Sequence, residues 1–300
     1  MKALIFGGSG FIGKKLVKQL VQKDHKAVIV TRNKSKISQF ENKNISIVEW
    51  DYSSPISFTD KDFDVIINLA GKSIGSKRWS KKVKNEIIES RINSTKKIVE
   101  AINNSILKTK TFINASAAGY YGNRKDEPLN ETGKPGNDFL AGICINWEKE
   151  AYKVTKASTR IITLRTGVVI GEEGAIKKMV LPYKFFAGGP LGSGKQYLSW
   201  IYINDLVKLI LFIINNKQIN GPVNATAPYP VKMNEFSKTL AKVLKKPSWI
   251  RVPEYILRIT LGQMSETITH GQNAIPEKTS NAGFKFQFPT IKTALKDLLN

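Results

Sequence analysis

The chain of 300 residues contains one cysteine, Cys144, and two histidines, His25 and His270. A single thiol excludes a disulfide framework, and with two imidazoles it excludes the usual Cys- and His-based metal centres. No metal is expected. Long apolar runs are also missing: residues 209–214 fall far short of the ~20 that a membrane-spanning helix needs. The opening Met1-Lys2-Ala3-Leu4-Ile5-Phe6-Gly7 passes from a short buried-strand pattern directly into glycines, without the longer apolar region of a signal peptide. These absences point to a soluble, cytoplasmic protein.

Acidic residues are scarce. Asp and Glu number 24 against 47 Lys and Arg, a net charge of +23. An excess of that size suits nucleic acid, an anionic membrane surface or an anionic ligand. Yet the lysines are dispersed (Lys14, Lys15 and Lys18; Lys81, Lys82 and Lys84; Lys245 and Lys246), with no nucleic-acid-binding motif and no basic tail. The surface reads as a solvated basic one, and no nucleic-acid partner is expected. With 41% hydrophobic residues, a chain of this length buries about three quarters of its unfolded surface, enough for a full core.

Short β-branched runs at 3–6, 27–30, 45–48, 65–69, 111–114 and 161–164 alternate with helix-like segments at 12–21, 82–102 and 147–156. Such alternation predicts an α/β fold, a doubly wound parallel sheet, over residues 1–170. Beyond 170 the texture changes to Gly- and Pro-rich stretches, helices at 205–214, 233–244 and 253–261, a loop at 221–230 and a short strand at 284–286. Residues 201–225 are expected to return to the first domain. Residues 171–200 and 226–300 are expected to form a smaller, mainly helical lobe for substrate.

Gly8-Ser9-Gly10-Phe11-Ile12-Gly13 matches G-x-G-x-x-G between a strand and an amphipathic helix. In that context small residues let a pyrophosphate approach the backbone and meet the helix N-terminal amides. A site for the unphosphorylated dinucleotide would carry Asp or Glu at the end of the second strand. Here the chain reads Val30-Thr31-Arg32-Asn33, so a guanidinium is available for a 2′-phosphate and Thr31 for a hydrogen bond. NADP(H) is the cofactor expected. A second glycine run, Gly189 to Lys195, satisfies G-x-x-x-x-G-K but places Gln196 where a Ser or Thr would meet Mg²⁺, so nucleotide hydrolysis is not expected.

These features, with Asn68-Leu69-Ala70-Gly71, Gly119-Tyr120-Tyr121-Gly122, Leu164-Arg165-Thr166-Gly167 and Gly188-Gly-Pro-Leu-Gly-Ser-Gly194, resemble the extended (atypical) short-chain dehydrogenase/reductases. Within them the chain is similar, from Met1 to Asn300, to NADP-binding epimerase-family proteins of the YfcH-like group, which have a distinctive C-terminal domain. The resemblance implies cofactor contacts from Gly7, Gly10, Phe11, Ile12, Thr31, Arg32, Leu69, Ala70, Glu86, Arg91 and Val169, and by wider analogy from Asp51.

Catalysis in that superfamily uses a Ser or Thr, a Tyr, and a Lys four residues after the Tyr that lowers the phenol pKa. Ser116 suits the first role. Aligning Glu148 with the glutamate that follows the dyad puts Leu140 at the Tyr position and Cys144 at the Lys position; the alternative register gives Gly142 and Asn146. Tyr152-x-x-x-Lys156 has the right spelling but lies twelve residues past Leu140, about 18 Å along a helix. Tyr121 is the nearest remaining phenol candidate. The expectation is an NADP(H)-dependent oxidoreductase or epimerase-like enzyme without the usual dyad, acting on a small molecule. The alternative is a non-catalytic NADP(H)-sensing regulator with a protein partner, for example in cell division.

Overall fold

The computed structural model describes residues 1–37 and 42–299. Its chain opens with β1 (Lys2–Phe6), α1 (Phe11–Gln22), β2 (Lys26–Thr31), β3 (Ile45–Glu49) and β4 (Asp62–Asn68). It continues through α2 (Lys81–Asn103), β5 (Lys108–Ala117), the two-residue β6 (Pro128–Leu129), α3 (Phe139–Ala151) and β7 (Arg160–Thr166). Then come β8 (Val168–Ile170), α4 (Ala175–Lys184), β9 (Tyr197–Leu198), β10 (Trp200–Tyr202), α5 (Ile203–Asn215) and β11 (Gly221–Ala225).

Seven strands pair in the order β11-β7-β5-β4-β1-β2-β3, all parallel. Parallel neighbours need crossovers, and the helices supply them on both faces. Alternate side chains of β1 enter opposite layers: Ala3 and Ile5 join a core with Leu16, Val17 and Leu20 of α1, while Leu4 and Phe6 join Ile98, Val99 and Ile102 of α2. The α1 stripe is the one its helical spacing predicts, and its three core residues are fully buried. This is the doubly wound, Rossmann-like fold. The order reverses between β1 and β4, which opens a crevice at their C-terminal ends.

The remaining chain forms β12 (Val231–Lys232), α6 (Met233–Leu244), α7 (Glu254–Leu261), α8 (Glu266–Thr269), β13 (Asn273–Ala274), α9 (Glu277–Asn281) and α10 (Ile291–Leu299). Two small pairings, β9 with β12 and β6 with β13, join this region to earlier segments of the chain, and β8 pairs with β10.

Three expectations need correction. Residues 221–225 are an edge strand, not loop, because an edge tolerates the missing amide of Pro222. Residues 284–286 form no strand; Phe284 packs on Phe212 and Phe286 instead. The helix expected at 205–214 starts at Ile203, so Asp205 lies inside it, fully buried, accepting from the amides of Gln287 at 3.0 Å and Phe288 at 2.8 Å. Burial raises the Asp205 pKa and these amides oppose the rise.

Candidate functional site

The crevice begins at the glycine loop. Gly7 has φ +77°, and a Cβ there would lie 2.9 Å from the carbonyl carbon of Leu69, so only glycine lets the tips of β1 and β4 approach this closely. Gly10 precedes α1 with no side-chain cap, and the first turn carries no acid. A Cβ at Gly10 would meet only the Gly7 carbonyl, at 3.3 Å; the residue otherwise borders open space. Uncapped amides beside a bare backbone are the complement of a phosphate.

A cavity of about 920 Å³ runs from this loop along the tips of β2 and β4 to the wall of α2. Gly7, Gly10, Thr31, Arg32, Asp51, Leu69, Ala70 and Glu86 all line it. Thr31 is buried, its hydroxyl donating to the Asn33 carbonyl at 3.4 Å. Arg32 is exposed, and among the described residues no hydrogen bond or ion pair engages its guanidinium. The exposed Asp51 carboxylate accepts from both the amide and the hydroxyl of Ser53 and of Ser54, at 2.6–2.9 Å. The Ser53 hydroxyl is the largest cause of its pKa lying far below the carboxylate range. Glu86 is paired with the Lys72 ammonium, which lowers its pKa.

Phe11, Ile12, Arg91 and Val169 are not among the lining residues. The Phe11 ring packs on Gly171, where a Cβ would sit 2.6 Å away, and Ile12 packs against the core beside α1. Val169 is half-buried in β8, opposite Ile201. Arg91 acts on the wall from behind. It donates to the carbonyls of Lys72 at 2.9 Å and Ile87 at 3.0 Å and lies over the Trp147 ring, while Ser90 Oγ accepts from the Lys72 amide. Burial lowers the Arg91 pKa. The β4 tip is fixed from below by buried Asn68, which bonds Thr95 and Asn114 and accepts from the Ala70 amide.

Tyr52 lines the cavity without any advance signal. Its backbone has φ +67°, and its hydroxyl accepts from the Gly7 amide at 3.3 Å and donates to the Val30 carbonyl at 3.2 Å. It thereby joins the glycine loop to the end of β2. Nothing in Trp50-Asp51-Tyr52-Ser53 marks a residue whose reach depends on a left-handed turn.

Further along the sheet edge lie the residues expected to carry chemistry. Asp138 caps α3 by accepting from the Ala141 amide at 2.9 Å, so this helix starts eight residues before the expected Trp147. Leu140, Cys144 and Glu148 follow at four-residue spacing. Ser116 is buried near the end of β5 and donates to Glu148 Oε1 at 2.7 Å. Arg165 donates to both Glu148 oxygens at 2.9 Å, to the Tyr121 hydroxyl at 3.0 Å, and stacks 3.5 Å from the Tyr120 ring centre. Burial alone would depress the Arg165 pKa; Glu148 overcomes that and raises it. Tyr121 is fully buried and its hydroxyl donates to Asn224 Oδ1 at 2.7 Å; burial raises its pKa. Cys144 is buried beside Ser116 and Glu148, with a thiol pushed up to about 12 chiefly by burial.

The Tyr152-x-x-x-Lys156 string is not helical, since α3 ends at Ala151, and Tyr152 instead pairs with Thr163 at 3.1 Å. The Gly188–Gly194 loop is packed: a Cβ at Gly189 would sit 2.0 Å from the Ile250 carbonyl oxygen. Among the described residues no cluster of His, Cys, Asp and Glu is arranged to hold a metal ion, and no helix is long and apolar enough to cross a membrane.

Residues 3–225 match the NAD dependent epimerase/dehydratase family, the span that holds both the cavity and the Ser116 network. The chain belongs to this family. Residues 252–298 match a domain of unknown function (DUF1731), which accounts for the helical C-terminal region. The epimerase family protein YfhF of Bacillus subtilis is 40% identical over 301 residues, covering 100% of this chain and 98% of that protein. The chloroplastic SDR39U1 homolog of Arabidopsis thaliana is 38% identical, covering 100% and 87%. Among solved structures, the human epimerase family protein SDR39U1 (isoform 2) with NADPH superposes with a TM-score of 0.88 at 28% identity over 99% of both chains. A UDP-galactose 4-epimerase, at 17% identity and TM-score 0.76, shares the fold.

Proposed function

We propose that this epimerase-family chain binds NADP(H) in the cavity and is a cytoplasmic oxidoreductase or epimerase-like enzyme of the YfcH-like group, acting on a small molecule. The observation that carries the cofactor choice is Arg32, an exposed guanidinium that no hydrogen bond or ion pair engages among the described residues, at the tip of β2, where an acid would exclude a 2′-phosphate. Its volume lies within the about 300–1,000 Å³ range of ligand sites. The human SDR39U1 structure, solved with NADPH, supports the reading.

The residues fit a dinucleotide. Gly7, Gly10 and the first turn of α1 would hold the pyrophosphate, Thr31 and Arg32 the phosphorylated ribose, and Leu69 and Ala70 the backbone side of the cleft. When bound, the cofactor supplies a hydride donor or acceptor. Arg91 positions the Lys72 backbone, and Ser116 is the hydroxyl we assign to the reacting end. Tyr121 holds Arg165 in place and moves no proton in this scheme.

Calorimetric titration tests the cofactor assignment. Arg32→Ala is expected to weaken NADPH by about 1.5–3 kcal/mol, the range for hydrogen bonds to charged groups, and NADH little. Equal losses for both would refute it. A second reading, a non-catalytic NADP(H) sensor acting on a protein partner, is favoured by the dyad positions, which hold Leu140 and Cys144 in one register and Gly142 and Asn146 in the other. Turnover of NADPH with a carbonyl or nucleotide-sugar library, lost in Ser116→Ala with binding retained, supports the enzyme; binding without turnover supports the sensor.

A further inference from the structure

Among the described residues, the large exposed apolar side chains all lie in the second half of the chain. Leu181 and Phe185 stand one turn apart at the end of α4, and Phe186 follows with φ +58°, turning the chain back. Trp249 is tied alongside: its indole donates to the Phe186 carbonyl at 2.7 Å, and the amides of Trp249 and Ile250 donate to the Gly188 carbonyl. Phe185 and Trp249 are 74% and 72% exposed. Five residues past Ile250, α7 raises Tyr255 and Ile259, also largely exposed and one turn apart.

The charges within these two stretches are nearly all of one sign. Residues 177–186 contain Lys177, Lys178 and Lys184 and no acid; residues 242–259 contain Lys242, Lys245, Lys246, Arg251 and Arg258 against Glu254 alone. The Lys246 ammonium lies 3.8 Å from the Phe186 ring centre, so its charge and that ring face the same surroundings. Aromatic tips on a helix-end turn and an irregular segment, in stretches rich in long cationic side chains, have the chemistry of the zone between lipid headgroups and acyl chains. Anionic headgroups complement the lysines and arginines of these stretches.

We propose that this face docks on an anionic lipid surface, with Phe185, Phe186 and Trp249 entering the headgroup region while the cations of these stretches meet lipid phosphates. The same α4 donates from Lys178 to the carbonyl of Gly75 at 2.7 Å, in the loop whose Ser73 and Ser76 line the cavity. Docking therefore takes place one hydrogen bond from the cofactor wall.

Vesicle flotation with the full chain tests the proposal. Binding to phosphatidylcholine vesicles containing phosphatidylglycerol should exceed binding to pure phosphatidylcholine by about tenfold or more and should fall with added salt. Trp50, Trp79, Trp147 and Trp200 are buried, so brominated-chain lipid should quench Trp249 selectively, and Trp249→Phe should abolish that quenching. Phe185→Ser/Phe186→Ser and Lys245→Glu/Lys246→Glu, both surface changes, should each remove most of the binding. Equal binding to both vesicle types, no binding, or an unquenched Trp249 would overturn the proposal. So would a doubled mass in sedimentation that Phe185→Ser/Phe186→Ser reduces to one, since a second copy would then cover this face.

Discussion

At the tips of β1, β2 and β4 polar groups face a cavity, whereas at the tips of β5, β7 and β11 they face one another. The first region leaves the start of α1 without a side-chain cap and, among the described residues, Arg32 without a hydrogen bond or ion pair. In the second, Ser116, Glu148, Arg165, Tyr121 and Asn224 form one continuous chain of hydrogen bonds. Among the described residues no buried side-chain nitrogen or oxygen lacks a partner. The contrast separates two uses of polarity: groups held open for a ligand, and groups closed on one another, among which Ser116 alone is also assigned to the reacting end.

Removing one member of the closed network should have the largest effect. Glu148→Ala leaves the Arg165 guanidinium buried without its carboxylate and should cost about 3–5 kcal/mol in urea unfolding. The folded fraction should still bind NADPH with unchanged affinity, and a parallel loss of affinity would show that the two regions are one. Tyr121→Phe keeps the ring and removes the hydroxyl that joins Arg165 to Asn224. It should cost about 1–3 kcal/mol of stability and leave NADPH binding alone. A fall in turnover at unchanged stability would instead make this phenol a proton carrier and dissolve the distinction.

Cys144 gives the smallest effect at neutral pH and the clearest pH dependence. Burial lifts its thiol from an ordinary value of 9.0 to about 12. A folded-state value above the unfolded one means its contribution to stability is complete below the unfolded value and is lost as pH climbs toward the folded one. Wild type should therefore lose stability relative to Cys144→Ala between those two values. Near pH 8, iodoacetamide should modify the native thiol about a thousandfold more slowly than the urea-unfolded one, in proportion to thiolate.

The open region was far more legible in the sequence than the closed one. A glycine motif between a strand and a helix, and an arginine in place of an acid two dozen residues later, are local signals with a direct physical meaning. Eight of the twelve expected cofactor residues line the cavity because these signals sit at strand tips that the alternation of β and α segments already orders. Tyr52 was not legible, since its role depends on a positive φ that reverses the chain. The closed network joins residues 32 positions apart, as in Ser116 and Glu148, or 103 apart, as in Tyr121 and Asn224. No local period encodes such pairs. The strand at 221–225 was hidden by Gly221 and Pro222, which an edge position accepts. The start of α3 was hidden behind Gly136 and Asn137, with Asp138 as the cap that a hydrophobic pattern alone does not reveal.

The buried carboxylate of Asp205 has a bearing on how the chain is made. Its two backbone donors lie 82 and 83 residues downstream, whereas most of α5 around it is apolar and buried. A nascent chain emerging from the ribosome can assemble the β1 to β7 portion of the sheet as it appears. It then carries an unmatched acid in α5 until residues 287 and 288 are synthesised. Completion of the nucleotide-binding half thus waits on the far end of the helical half, and a chain stopped short of that point would hold α5 only with a protonated or hydrated acid at its centre.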